Sequence, residues 1–100
     1  MTEKRTAHYP LTQVKELIEE GNVFSTQTAL ETAAALKYSF EDMVNVIRDL
    51  EISDLYKSMT THADNTVWQD VYHFPATGNL DIYLKLTVTD NVLIVSFKEL

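Results

Sequence analysis

Residues 80–100, LDIYLKLTVTDNVLIVSFKEL, decide the fold because apolar and polar side chains alternate along their first half. A period of two is that of a β-strand with one buried face. Asp90 and Asn91 suit the tight turn of an antiparallel hairpin, and a second apolar run follows them. The rows expected to face the core are Ile82, Leu84, Leu86 and Leu93, Val95, Phe97, which leaves Tyr83, Lys85, Thr87 and Ile94, Ser96, Lys98 on the other face.

Two further strands are predicted in DLYKSM (residues 54–59) and TVWQDVY (residues 66–72), each with a polar residue in an apolar row. Lys57 stands between Leu55 and Met59, and Gln69 stands between Val67 and Val71. We expect the aromatic row Trp68, Tyr72, Phe74 to join the core. The remaining rows, with Leu55, Met59, Val67 and Val71, would then share the opposite face, where alternation brings together Lys57, Gln69, Tyr83 and Lys98.

Residues 11–50 have helical rather than strand periodicity. We predict three short helices, in LTQVKELIEEG (11–21), STQTALETAAALKY (25–38) and SFEDMVNVIRDLE (39–51). Thr12 is the expected N-cap of the first and Gly21 its stop, while Ser39 and Asp42 form a capping-box pattern at the start of the third. The fold class is therefore α+β, with three short N-terminal helices packed on a mainly antiparallel sheet, and residues 1–100 are expected to form a single domain.

The charge and composition exclude several kinds of function. The net charge is −7, and acidic residues outnumber basic ones in both halves of the sequence, which argues against a nucleic-acid partner. There is no cysteine, and the three histidines have no metal-ligand spacing, so we expect no cofactor and no metal. No apolar run approaches the roughly 20 residues of a membrane span, and a cytoplasmic location without a membrane partner is the expectation.

The second and third helices, near residues 26–37 and 40–50, resemble a helix-turn-helix in spacing alone. The latter carries Glu41, Asp42 and Asp49 against one basic residue, Arg48. A recognition helix that enters the major groove of DNA needs the opposite charge. We therefore expect no direct binding to DNA.

A cluster of Lys57, Gln69, Tyr83 and Lys98 has a chemical interpretation. RNA is cleaved without a metal when its 2′-OH attacks the adjacent phosphate, which needs a proton acceptor, donors to the phosphate oxygens and an acid for the leaving oxygen. A lysine among apolar neighbours is expected to have a lowered pKa, which would let Lys57 exchange protons. The alternative is that Lys57 reaches solvent along the sheet, Gln69 is an edge amide, and Tyr83 and Lys98 are ordinary surface residues.

Three segments, EKRTAHY (3–9), YKSMTTHADNTVWQDVY (56–72) and IYLKLTV with NVLIVSFKE (82–88 and 91–99), resemble the MqsR family of bacterial toxins. The resemblance implies a RelE-like fold and a sequence-selective mRNA endoribonuclease that cleaves at short GC-containing sites and arrests growth. It implies a dimeric antitoxin partner with a zinc-binding domain. It also implies that the functional side chains are those of Lys57, Gln69, Tyr83 and Lys98.

The same resemblance predicts RNA-binding residues and marks departures from the family. Tyr56 matches a position of RNA recognition, and Lys85 and His73 lie beside the expected site. The chain departs from the family pattern in its acidity, in His62 and His73 at positions of a Tyr and an Arg, and in Phe24 and Gln27 at positions of basic residues. An alternative function is therefore a non-catalytic, toxin-like interaction module whose acidic surface binds a protein.

Overall fold

The computed structural model describes residues 2–100. Its helices and strands are, in chain order, β1 (Glu3–Lys4), α1 (Leu11–Glu19), β2 (Val23–Ser25), α2 (Gln27–Ala35), α3 (Phe40–Asp49), β3 (Leu55–Thr60), β4 (Trp68–Pro75), β5 (Asp81–Val88) and β6 (Val92–Glu99), with a 3-10 turn at Ile52–Asp54. The strands form one six-stranded sheet in the order β1-β3-β4-β5-β6-β2. All neighbouring pairs are antiparallel except β2 and β6, which are parallel.

The α+β class, the three helices and the four-strand meander β3 to β6 are confirmed by this architecture. The simple division into helices first and strands afterwards is incomplete. The short strand β1 precedes α1, and β2 separates α1 from α2. Their parallel and antiparallel pairing makes the sheet mixed, with a short strand at each edge.

Local capping explains where the helices begin and end. In α3 the Ser39 hydroxyl accepts from the Asp42 amide at 3.1 Å, and the Asp42 carboxylate accepts from the Ser39 amide at 2.9 Å, so the capping box is confirmed. Gly21, with φ of +79°, ends α1 as predicted. The prediction of Thr12 as N-cap is wrong, because Pro10 takes that position and its carbonyl accepts the first helical amides.

The core lies between one face of the sheet and the helices. Its fully buried members from the strands include Ile82, Leu84, Leu86, Val92, Ile94 and Phe97, and those from the helices include Val14, Ala29, Ala33, Met43 and Ile47. The longest described helix has ten residues, about half of what a bilayer core requires, so none of the helices within residues 2–100 can cross a membrane.

A β-bulge in β6 overturns part of the predicted face assignment. Lys85 pairs with Ser96, but the next residue, Leu86, pairs with Ile94, so Val95 is an extra residue. Side chains before the bulge therefore change faces, and Ile94 is buried in the core while Leu93 is only half-buried on the opposite face. The predicted core positions of Leu93 and Val95, and the predicted outward position of Ile94, are wrong for this reason.

A second bulge, in β3, moves Leu55. Leu55 pairs with Tyr72 and Lys57 with Val71, so Tyr56 is the extra residue. Leu55 consequently packs against the core with Tyr72, and its predicted place beside Lys57 on the other face is wrong.

Trp68 also departs from the predicted aromatic core row. Its side chain is half-buried and stacks on the His8 ring at a centroid distance of 4.9 Å.

Candidate active site

The strand register brings the predicted site residues onto the face of the sheet opposite the helices. Across β3 to β6, the partners run from Lys57 through Val71 and Lys85 to Ser96, and a neighbouring row runs from His73 through Tyr83 to Lys98. Cross-strand partners share a face, so these two rows form one surface, here called the site face. Gln69 pairs with Met59 on the same face.

Aromatic rings connect the charged members of the site face. The Tyr56 ring stacks on the His73 ring at a centroid distance of 4.2 Å and an interplanar angle of 14°, and His73 lies 6.0 Å from Tyr83. Lys57 Nζ is 5.7 Å from the Tyr56 ring centroid, and Lys98 Nζ is 5.2 Å from that of Tyr83. The ammonium groups therefore stand at the two ends of a continuous aromatic strip.

Gln69 is the least connected of the predicted residues. Gln69 is half-buried and lies two residues before Val71 on β4. No hydrogen bond found among residues 2–100 joins its amide to Lys57, Tyr83 or Lys98. The structure thus brings Tyr56, Lys57, His73, Tyr83, Lys85 and Lys98 together as one cluster and places Gln69 at its margin.

Two N-terminal residues that the sequence did not single out belong to the same cluster. Lys57 Nζ donates a hydrogen bond to the Glu3 carboxylate at 2.7 Å. The Arg5 guanidinium lies 5.4 Å from the Tyr56 ring centroid and donates to the Tyr56 carbonyl at 3.2 Å. Because they are more than 50 residues from their partners, no local pattern could reveal them, and the segment EKRTAHY was visible only as a resemblance.

The ionisation of the lysines differs from the prediction. The hydrogen bond that Lys57 donates to the Glu3 carboxylate raises the pKa of Lys57 above its ordinary value, so the expectation of a lowered pKa there is wrong. The apolar neighbours exist, but the carboxylate opposite the ammonium outweighs their effect. Lys85 is the lysine with a lowered pKa, because burial and then the charges of Lys98 and Lys57 disfavour its ammonium form.

Tyr83 keeps its proton. Burial raises the pKa of its hydroxyl, and the opposing effect of the Lys57 charge is smaller. At neutral pH the hydroxyl is therefore a hydrogen-bond donor at the Lys98 end of the aromatic strip.

Asp70 holds the N-terminal segment against the sheet. Its fully buried carboxylate accepts from the backbone amides of His8 at 3.1 Å and Tyr9 at 3.0 Å, and from the Ser58 hydroxyl at 2.5 Å. It faces the helix side, away from the lysine cluster. Its contribution to the site is to fix the segment that carries Glu3 and Arg5.

The acidic residues are spread along the sequence but are distributed unevenly between the helical layer and the site face. Residues 11–54, which carry the three helices, contain nine acidic and three basic residues. The site cluster contains four of the eight basic residues, namely Arg5, Lys57, Lys85 and Lys98. The site face is thus locally positive while the helical layer is acidic, so the net charge alone is a poor guide to the ligand of this face.

The histidines are separated in the fold. His73 belongs to the cluster, His8 stacks on Trp68, and His62 is exposed in the loop between β3 and β4. Among residues 2–100, no three His, Asp or Glu side chains come together as a group that could hold a metal ion.

The site face can bind a phosphodiester with its attached bases. Ammonium and guanidinium groups contact phosphate oxygens, exposed aromatic rings stack on bases, and a protonated hydroxyl can donate to a developing oxyanion. Tyr56, with 43% of its surface exposed, is the most accessible ring of the strip.

Comparison with known proteins gives two matches. A family model described as motility quorum-sensing regulator, toxin of MqsA, matches residues 6–99. The chain is also similar to the mRNA interferase toxin MqsR of Escherichia coli (strain K12), with 54% identity over 97 residues that cover 97% of this chain and 98% of that protein.

Proposed function

This chain belongs to the family of motility quorum-sensing regulator toxins, and we propose that it is the toxin of a toxin–antitoxin pair that acts as an mRNA endoribonuclease. The observation that carries the proposal is the cluster of lysines and tyrosines along the site face. The name of the E. coli relative, an mRNA interferase, gives the substrate class. The proposed RelE-like fold, cytoplasmic location and single catalytic domain over residues 1–100 follow from the same membership.

The proposed reaction is attack of a ribose 2′-OH on the adjacent phosphate, without a metal ion. Lys57, whose ammonium form Glu3 stabilises, would bind a non-bridging phosphate oxygen, and Lys85 and Lys98 would bind neighbouring phosphates. Tyr83, which retains its proton, would donate to the leaving 5′-oxygen. Tyr56 and His73 would stack against bases, and Gln69 would position the substrate from the margin of the cluster.

We further propose cleavage at short GC-containing sites and a zinc-binding antitoxin of the MqsA type as the partner. The family description, toxin of MqsA, supports a protein partner. The acidic helical layer offers that partner a surface separate from the site face, which would allow binding without competition from RNA. The same layer favours the second candidate function, a non-catalytic interaction module, which predicts no cleavage under any condition.

The test is cleavage of a short RNA with GC-containing sites by purified protein in the presence of a chelator. We expect cleavage, and resistance of a substrate with 2′-deoxyribose at the cleaved position. Lys57→Ala should lower the rate about 10²- to 10³-fold. The matched control is Lys15→Ala, which removes the same charge from α1 on the helical layer and should leave cleavage unchanged.

Two outcomes would contradict the proposal at different levels. If the folded wild-type protein cleaves no RNA, the proposed nuclease function is refuted and the interaction module remains as the alternative. Cleavage by the wild type that is unchanged in Lys57→Ala would remove only the site assignment. Cleavage should also weaken as salt rises, since each phosphate contact releases counterions.

A further inference from the structure

The ion pair between Glu3 and Lys57 leaves the proposed reaction without an obvious proton acceptor at its centre. The carboxylate keeps Lys57 in its ammonium form, which binds phosphate but cannot accept the proton of a 2′-OH. Tyr83 is protonated as well. The group that takes the proton must therefore be another member of the cluster.

Glu3 is held on the site face by backbone pairing. It lies opposite Met59 in the register of β1 and β3, and the neighbouring Thr2 is fixed by two hydrogen bonds of 2.9 Å to Thr60. Oε1 of Glu3 accepts from Lys57, while 46% of the side-chain surface remains exposed, compared with 24% for Lys57. The carboxylate is thus fixed at one oxygen and accessible to a substrate.

From this placement we propose that Glu3 is the general base of the cleavage reaction, acting beside Lys57. This inference rests on the proposed endoribonuclease function. Glu3 takes the proton of the 2′-OH as the O2′–P bond forms. The P–O5′ bond breaks with its electron pair on O5′, which takes a proton from Tyr83. The products are a 2′,3′-cyclic phosphate and a 5′-OH, and proton exchange with water restores both side chains.

The distance between Glu3 and Lys57 suits this division of roles. In a reactive conformation the 2′-oxygen and the phosphorus are about 3–3.5 Å apart, so the base and the cation that binds the phosphate must be neighbours. The two groups are 2.7 Å apart. Tyr83 is on β5, two strands from Lys57 and three from Glu3, so a phosphate bound at Lys57 would lie between the base and the acid. Lys57 also holds the pKa of Glu3 below its ordinary value, so the carboxylate is ionised at neutral pH.

Lys85 is one competing candidate, since burial and the neighbouring lysines lower its pKa. It pairs with Val71 and Ser96 in the middle of the sheet and is flanked by cations. Its position between other cations suits a contact to a phosphate. Loss of cleavage in Glu3→Gln would favour Glu3 over Lys85.

The experiment compares Glu3→Gln and Glu3→Ala with wild type in single-turnover cleavage of the same RNA. We expect a fall of about 10²- to 10⁴-fold in the cleavage rate, with RNA affinity unchanged or tighter because a negative charge is removed. Added formate should restore part of the activity to Glu3→Ala and none to Lys57→Ala. The matched control is Asp81→Asn, which removes a carboxylate from the same sheet face and should cleave at the wild-type rate.

Each result supports or contradicts the assignment of Glu3 as the general base. Loss of cleavage in Glu3→Gln with formate rescue of Glu3→Ala supports the general base, because a merely structural carboxylate would not be replaced by formate. Faster cleavage by Glu3→Gln would show that Glu3 only masks Lys57, and a fall below tenfold would assign the base elsewhere. If the wild type itself does not cleave, the proposed function fails, whereas cleavage by wild type and variants alike overturns only this inference.

Discussion

Replacement of Asp70 by Asn should detach the N-terminal segment and destabilise the protein. The native carboxylate accepts from two backbone amides and one hydroxyl while fully buried. An asparagine keeps the shape but removes the charge and turns an NH2 group toward an amide N–H. A hydrogen bond to a charged group contributes about 1.5–3 kcal/mol. One backbone amide would face the NH2 group and lose its acceptor, and the other would keep only a neutral oxygen, so we expect a loss of about 3 kcal/mol.

The assay is urea unfolding followed by thermal unfolding. For a chain of this size a loss of about 3 kcal/mol corresponds to a fall in Tm of roughly 12–24 °C. Amide hydrogen exchange at His8 and Tyr9 should accelerate before global unfolding, since one amide loses its acceptor and the other keeps only a neutral one. Ser58→Ala, which removes only the hydroxyl, is the control and should cost about 1 kcal/mol. A loss below 1 kcal/mol in Asp70→Asn, with unchanged exchange at both amides, would refute this account of the anchor.

Two further substitutions test the ionisation and the backbone. Lys85→Met should raise the free energy of unfolding at neutral pH and weaken RNA binding. The pKa of Lys85 in the folded protein lies below its ordinary value, so between these two values the unfolded chain binds more protons than the folded one. The wild type therefore becomes more stable as pH rises through that window. Lys85→Met should lack this gain in stability when urea unfolding is measured over a series of pH values. Lys37→Gly should stabilise the protein by about 0.5–1 kcal/mol, because Lys37 has φ of +67° after α2, and an unchanged or lower midpoint in urea would contradict this.

The sequence was a good guide wherever a pattern repeated within one element. The alternation in β5 located Tyr83 and Lys85 on the face opposite Leu84, and the helical stripe of α3 located Met43 and Ile47 in the core. These patterns work because burial acts on every second or every third to fourth residue of a regular element.

The failures have two physical causes. A bulge adds one residue to a strand, and no residue type in LIVSF or LYKSM requires one, so Leu93, Val95, Ile94 and Leu55 were assigned to the wrong faces. The pairing of distant segments is the other cause: Glu3 meets Lys57 through a strand of two residues, too short to show alternation, and that contact reverses the expected shift in the pKa of Lys57.

The candidate site itself was only partly within reach of the sequence. Strand alternation predicted that Lys57, Tyr83 and Lys98 lie on the same face of the sheet, and the register places all three there. Their catalytic roles remain predictions. The charge of −7 suggested a poor ligand for RNA, but sequence carries no information on which layer an acidic residue occupies until the helices and strands are assembled.

The long-range pairing at the edges of the sheet has a consequence for the protein during its own synthesis. Residues 23–25 pair with residues 92–94, and the cluster extends from Glu3 to Lys98. A nascent chain can form α1, α2 and α3 early, but β2 has no partner and Lys98 does not yet exist. The ribosome must therefore add Lys98 before the product can assemble a complete site, so an mRNA-cleaving chain would be inactive until this residue has been synthesised.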